Sequence, residues 1–165
     1  MDLFIVIVLA LFAVMGIVVG VSNDAVNFLN SAFGSKAANK YVILAIASIG
    51  VMIGVMTSSG MMDVARSGVF YPSMFSYQEI MILFLGMMLS NIILLDIYNS
   101  LGLPTSTTVS LVFGLLGSAL ALALYNIWSG DALMTDLGKY INSGNALAIV
   151  SGILLSVVLA FFTGH

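Results

Sequence analysis

The chain has 165 residues, of which 61% are hydrophobic and only 7% are charged, against about 25% charged residues in ordinary soluble domains. A soluble fold of this size needs a polar surface that this composition does not supply, so the composition indicates a membrane protein surrounded by lipids. The net charge of −3 with four basic residues argues against nucleic acid as a partner, and the absence of cysteine with a single, terminal histidine argues against an enzyme.

Five stretches of the chain are apolar and close to the roughly 20 residues that a membrane span needs. They are Leu3–Val21, Tyr41–Gly60, Ile80–Leu95, Pro104–Tyr125 and Ala146–Phe162. The first follows Met1-Asp2, an acid where a secretory signal carries positive charge, so we predict a retained first helix. The predicted fold class is an all-α polytopic membrane protein, with residues 1–165 as a single transmembrane domain.

The basic residues give a weak indication of orientation. Lys36 and Lys40 lie together after the first span and favour a cytoplasmic position for that end, with the N-terminus outside. The other two basic residues, Arg66 and Lys139, are each offset by nearby acids and add little to this prediction.

The segment Ser22–Asn39, between the first two spans, mixes amides and a carboxylate with apolar residues, and we expect a broken or re-entrant element there. If it is helical, Asn23, Asp24 and Asn27 share one face. A carboxylate inside a membrane is costly unless it meets a cation, a proton or water, and carboxylate and amide oxygens are ligands that hard cations prefer. The alternative is a short exposed loop, in which such residues are common.

A second polar segment, Gly102–Thr108, begins the fourth span. Proline suits the first turn of a helix, so we expect a helix that starts near Pro104 and offers the unpaired N–H groups of its first turn. These donors would come from Thr105, Ser106 and Thr107, at the positive end of the helix dipole, which makes an anion site without a basic side chain. The alternative is that the hydroxyls bond to carbonyls one turn earlier.

Polar residues of the third span are weaker candidates. Asp96 and Asn99 either line a polar path or mark the point where this helix leaves the lipid. Ser90 and Asn91 lie inside the span and are expected to bond to a neighbouring helix.

Together the two polar segments resemble a known family. Residues 20–36, GVSNDAVNFLNSAFGSK, resemble the Gly-Ala-Asn-Asp-Val-Ala-Asn-Ala signature of the inorganic phosphate transporter (PiT) family, and residues 102–117, GLPTSTTVSLVFGLLG, resemble its Gly-x-Pro-x-Ser-x-Thr-His element. The resemblance implies a multi-pass protein of the cell membrane that imports inorganic phosphate together with a co-transported Na⁺ or H⁺ and uses no cofactor.

The resemblance also implies roles for individual residues. Asn23, Asp24 and Asn27 match the Asn-Asp-x-x-Asn core, which implies cation binding, with Asp24 as the sodium ligand if sodium is the coupling ion. The predicted phosphate-binding residues are Thr105, Ser106, Thr107, Thr108 and Asn27, of which Ser106 to Thr108 match the hydroxyl-rich turn of the family. Val109 stands where the family usually has histidine, so a role for that imidazole is absent here.

Each motif occurs once, whereas the family is built from two inverted repeats that both carry them. The chain therefore resembles the N-terminal half, and a second copy or a separate second half is expected to complete a site between the repeats. Three alternatives remain open: a transporter of sulfate or another oxyanion on the same fold, an ion channel, and a membrane subunit that does not transport.

Overall fold

The computed structural model describes residues 2–58, 63, 68–130 and 136–163. Its helices are α1 (Asp2–Gly34), α2 (Lys40–Thr57), α3 (Tyr77–Leu101), α4 (Thr107–Ser129), the short α5 (Leu137–Tyr140) and α6 (Ser143–Thr163), with a 3₁₀ turn at Pro72–Met74. Within the described residues, five of these helices are long and apolar enough to cross a membrane. The predicted class of an all-α polytopic membrane protein is confirmed.

The helix α1 is continuous over 33 residues, or about 50 Å at 1.5 Å per residue. The predicted broken or re-entrant segment at Ser22–Asn39 is therefore corrected, and the alternative of an exposed loop does not hold for its first part. Neither glycine nor proline interrupts the chain between Gly20 and Gly34, and Asn23, Asp24 and Asn27 find partners on other elements. The helix ends at Gly34, followed by Lys36 in the left-handed region with φ 52°.

The helices α1 and α3 pack side by side and run parallel. Gly16 of α1 lies against Ile92 of α3, and Asn23 donates a hydrogen bond to Asn99 at 3.0 Å. Gly16 and Asn23 are as far apart on α1 as Ile92 and Asn99 are on α3, so the two helices keep one register over this length. The chain returns between them through α2.

The helices α3 and α4 form an antiparallel hairpin. Near its middle, the Ser110 hydroxyl donates to Asn91 Oδ1 at 2.6 Å. Toward the far end, Asn126 Nδ2 donates to Glu79 Oε1 at 2.6 Å. The prediction that Asn91 bonds to a neighbouring helix is confirmed, whereas Ser90 bonds back to the Met87 carbonyl of its own helix.

The buried core fills the hairpin and continues into the segments beyond its far end. Its members are Phe70, Phe75, Leu83, Met87, Leu115, Ala119, Ala123 and Ile141. Phe70 and Ile141 form an antiparallel bridge, and the Tyr71 N–H donates to the Tyr140 carbonyl at 2.9 Å. We call these paired segments the clamp; they close the end of the hairpin opposite the turn at 102–106.

Two of the spanning helices contribute little to this core. Ile43 is the buried residue of α2 and Ala146 is that of α6 within the described chain. Their remaining apolar surface is exposed, so in a bilayer it contacts lipid or further protein.

The basic residues separate by position along the bundle. Lys36 and Lys40 lie at the end that holds the turn at 102–106, because α1 and α3 are parallel. Lys139 lies at the clamp end, where its hydrogen bond to Asp136 at 2.7 Å raises its pKa. Arg66 lies outside the described residues, and the predicted orientation, with the N-terminus outside, stays a prediction.

We expect Ser110→Ala to destabilise the hairpin by about 0.5–2 kcal/mol, because Asn91 loses its partner inside the bundle. The free energy of unfolding, measured by denaturant titration in detergent micelles, checks this. Ser48→Ala is the matched control, since the Ser48 hydroxyl bonds only to the Leu44 carbonyl of its own exposed helix. Equal losses in the two variants would contradict the interhelical role.

Candidate functional site

The turn between α3 and α4 is the local structure from which the site is built. The helix α3 ends at Gly102, which is left-handed with φ 67°, a conformation that glycine adopts without strain. The Leu103 N–H bonds to the Tyr98 carbonyl at 3.0 Å and closes the helix end. Residues 103–106 belong to no helix or strand, Ser106 is extended, and α4 begins at Thr107.

The predicted helix start at Pro104 is therefore three residues too early. A start at Pro104 would leave Leu103 as the N-cap, and leucine has no side-chain acceptor for the first turn. Ser106 supplies one, because its Oγ accepts a hydrogen bond from the Val109 N–H at 3.3 Å. The stronger capping residue decides where the helix begins.

The first turn of α4 still leaves two donors without a partner. Among the described residues, no acceptor meets the backbone N–H of Thr107 or of Thr108. They lie at the positive end of a 23-residue helix. Of the predicted donors, Thr107 lies in this first turn, whereas Thr105 and Ser106 precede the helix. An anion beside the N–H groups of Thr107 and Thr108 would gain both hydrogen bonds and dipole stabilisation.

The hydroxyls at this turn behave differently from others in the spans. Elsewhere, for example at Ser48 and Thr57, the hydroxyl donates to a carbonyl three or four residues earlier. Ser106 instead caps α4, and Thr107 Oγ1 donates to Asp24 Oδ1 of α1 at 3.4 Å. The alternative of simple bonding back along the helix does not hold for Ser106 and Thr107.

The polar face of α1 meets this turn. Asn27 Nδ2 donates to the Thr105 carbonyl at 2.9 Å and to Asn23 Oδ1 at 3.0 Å. Asp24 is half-buried and contacts Thr107. The shared helical face predicted for Asn23, Asp24 and Asn27 is confirmed, and it is directed at the second polar segment.

Between α1 and the turn lies a half-open pocket of about 530 Å³, ample for a hydrated inorganic ion pair. Its lining consists of Asp24, Asn27, Phe28, Pro104, Thr105, Ser106, Thr107 and Thr108. The lining contains one carboxylate and no basic side chain. Of the residues predicted for the site, all except Asn23 line this pocket, although their individual roles stay predictions.

Asn23 lies behind the pocket and is only 2% exposed. It donates to Asn99 Oδ1 at 3.0 Å and accepts from Asn27. Asn99 in turn donates to the Val19 carbonyl of α1 at 3.2 Å. Sequence reasoning missed this contact, since an amide at the end of a span looks the same whether it bonds to water or to another helix.

The helical bundle and its polar pocket define a multi-pass integral membrane protein with an ion-sized site against the end of a helical hairpin. The phosphate transporter family model matches residues 5–165, and the chain belongs to that family. The resemblance stated from the two motifs is thereby confirmed. No curated protein and no solved structure matches the chain. Membership supports phosphate transport in general, and the cell membrane is the usual location of such proteins.

We expect Ser106→Ala to lower the free energy of unfolding by about 1 kcal/mol, because α4 loses its N-cap. Ser106→Thr keeps the acceptor and serves as the matched control. Thermal unfolding in detergent, followed by far-ultraviolet circular dichroism, measures both. An unchanged midpoint for Ser106→Ala would mean that the cap does not hold the helix start.

Proposed function

We propose that this chain supplies one half of a site for the symport of inorganic phosphate with Na⁺ or H⁺. The observation that carries the proposal is the contact between Asp24 of α1 and Thr107 at the start of α4. It joins an oxygen-rich surface suited to a cation with a donor-rich surface suited to an anion.

The phosphate side of the proposed site is the beginning of α4. The unpaired N–H groups of Thr107 and Thr108 are donors of the kind that phosphate oxygens accept, and the helix dipole adds positive potential. The Thr108 hydroxyl is exposed in the pocket lining and adds a further donor. Such a site binds an oxyanion through hydrogen bonds and needs no lysine or arginine.

The cation side is the facing surface of α1. Asp24 brings the one carboxylate of the pocket lining, and Asn27 brings an amide. Carboxylate and carbonyl oxygens suit Na⁺, and a carboxylate also accepts a proton, so this surface is compatible with either coupling ion.

Electrostatics makes the two ions depend on each other. A phosphate charge about 4 Å from an ionised Asp24 is repelled by roughly 4 kcal/mol at an effective dielectric constant of about 20. A cation or proton on Asp24 removes this repulsion, and phosphate in turn strengthens the binding of the cation. The coupling is reciprocal, as linkage requires.

The pocket is half-open, which supports the proposal that further protein completes it. A second copy of this chain or a separate second half would cover the exposed side, as in transporters whose substrate lies between inverted repeats. Rocking of one half against the other would then expose the ions to each side of the membrane in turn.

We expect Asp24→Asn to abolish gradient-driven phosphate uptake, with a fall of at least about tenfold, because the variant neither needs nor holds the coupling cation. Radioactive phosphate uptake into membrane vesicles, driven by a sodium or a pH gradient, measures this. Asp96→Asn is the matched control, since Asp96 is exposed on α3 and outside the pocket lining. Unchanged uptake by Asp24→Asn would remove this carboxylate from the mechanism.

We expect Thr108→Val to raise the KM for phosphate by roughly tenfold at saturating cation, because one hydrogen bond to a charged ligand is lost. Thr57→Val controls for the loss of a threonine hydroxyl elsewhere, since Thr57 bonds back to its own helix. Initial uptake rates over a phosphate series give the KM, and sulfate and arsenate as competitors identify the preferred oxyanion. Rates that do not saturate would favour a channel, and reduced assembly with unaltered KM would favour a non-transporting subunit.

A further inference from the structure

A continuous row of side-chain amides connects the end of α3 to the pocket. Asn99 Nδ2 donates to the Val19 carbonyl at 3.2 Å, and Asn99 Oδ1 accepts from Asn23 Nδ2 at 3.0 Å. Asn23 Oδ1 then accepts from Asn27 Nδ2 at 3.0 Å. The second proton of Asn27 Nδ2 goes to the Thr105 carbonyl at 2.9 Å. We call these three asparagines the amide row.

Both ends of the amide row meet backbone carbonyls, which only accept hydrogen bonds. The carbonyl of Val19 requires Asn99 to present its NH₂ group, so the Asn99 oxygen faces Asn23. Asn23 must then present its own NH₂ group to Asn99 and its oxygen to Asn27. Reversal of the row would place oxygen against oxygen at Val19 and again at Thr105, so one direction is selected at both ends.

This direction decides which atom Asn27 shows to the pocket. Both protons of its NH₂ group are used, one by Asn23 and one by Thr105. Asn27 lines the pocket, and its remaining polar atom is the oxygen. An amide oxygen is a ligand for a metal cation and repels phosphate. The direction of the row therefore suits Asn27 to binding the cation and not the anion.

We propose that Asn99 is a positioning residue for a sodium site formed by Asp24 and Asn27. The inference rests on the proposed phosphate symport with sodium as the coupling ion, and it extends that proposal because it adds a residue that acts on the site from outside the pocket. Asn99 does not line the pocket. It acts through Asn23, which is 2% exposed and has no water to replace a lost partner.

Removal of the Asn99 acceptor leaves a buried NH₂ group on Asn23 without a partner, which is unfavourable. Rotation of the Asn23 amide brings that group toward Asn27 and draws the Asn27 oxygen out of the pocket. We therefore expect Asn99→Leu to raise the sodium concentration for half-maximal phosphate uptake by roughly five- to tenfold, with the phosphate KM at saturating sodium changed by less than about twofold.

Asn99→Asp separates this role from simple anchoring of α3 to α1. The carboxylate cannot donate to the Val19 carbonyl, so the anchor is lost, but it still accepts from Asn23 and keeps the direction of the row. We expect Asn99→Asp to need no more sodium than the parent for half-maximal phosphate uptake. Asn91→Leu is the matched control, because it removes an amide of the same helix whose bond runs to Ser110 of α4 and not to α1.

The experiment is a sodium titration of phosphate uptake in membrane vesicles with the parent, Asn99→Leu, Asn99→Asp and Asn91→Leu. A selective rise for Asn99→Leu supports the inference. An unaltered sodium dependence of Asn99→Leu, or a rise of the same size in Asn99→Asp or in Asn91→Leu, overturns it. If Asn99→Leu does not fold, Asn99→Ala removes the same acceptor and takes its place, and a rise in Asn99→Asp still overturns the inference.

The parent chain separates the inference from the function on which it rests. Phosphate uptake that follows a pH gradient and ignores sodium would overturn the sodium site while the proposed symport stands. Absence of coupled phosphate uptake in the parent would overturn both.

Discussion

The cost of placing a carboxylate among apolar helices is the constraint on which this structure depends. Asp24 sits on a helix of 33 residues that is otherwise largely apolar and exposed, and it is stabilised only where α1 meets a polar partner. That partner is the first turn of α4, where Thr107 donates to Asp24 at 3.4 Å. The parallel packing of α1 on α3 and the sharp turn at Gly102 bring the two together.

The pocket lining combines N–H groups that attract an anion with a carboxylate that attracts a cation. Helix-end N–H groups attract anions, and the carboxylate repels them, which is the electrostatic basis of the proposed coupling between cation and phosphate. A pocket with several lysines would bind phosphate tightly and release it slowly. In the proposed symport, weak and mutually dependent ligands would allow the ions to be released in every cycle.

Much of this arrangement could be predicted from the sequence. The five spans, the shared face of Asn23, Asp24 and Asn27, and the polar character of the turn all follow from local periodicity and composition. The continuous course of α1 was missed because its polar stretch is stabilised by contacts with α3 and with the turn, not by local propensity. The start of α4 depends on which residue caps the helix, and the contact of Asn99 with α1 depends on which helix lies opposite. Neither can be read from a single segment of the sequence.

The clamp formed by residues around Phe70 and Ile141 differs in its contacts from the opposite end of the hairpin of α3 and α4. Its segments are joined to each other by backbone hydrogen bonds and by the edge-to-face contact of Phe75 and Tyr140, whose rings are 5.4 Å apart, and its apolar residues belong to the same core as those of the hairpin. The opposite end is held to α1 by hydrogen bonds that each start from a side chain. A substitution can therefore remove a bond at the pocket end, whereas the backbone pairing of the clamp does not depend on which side chains are present.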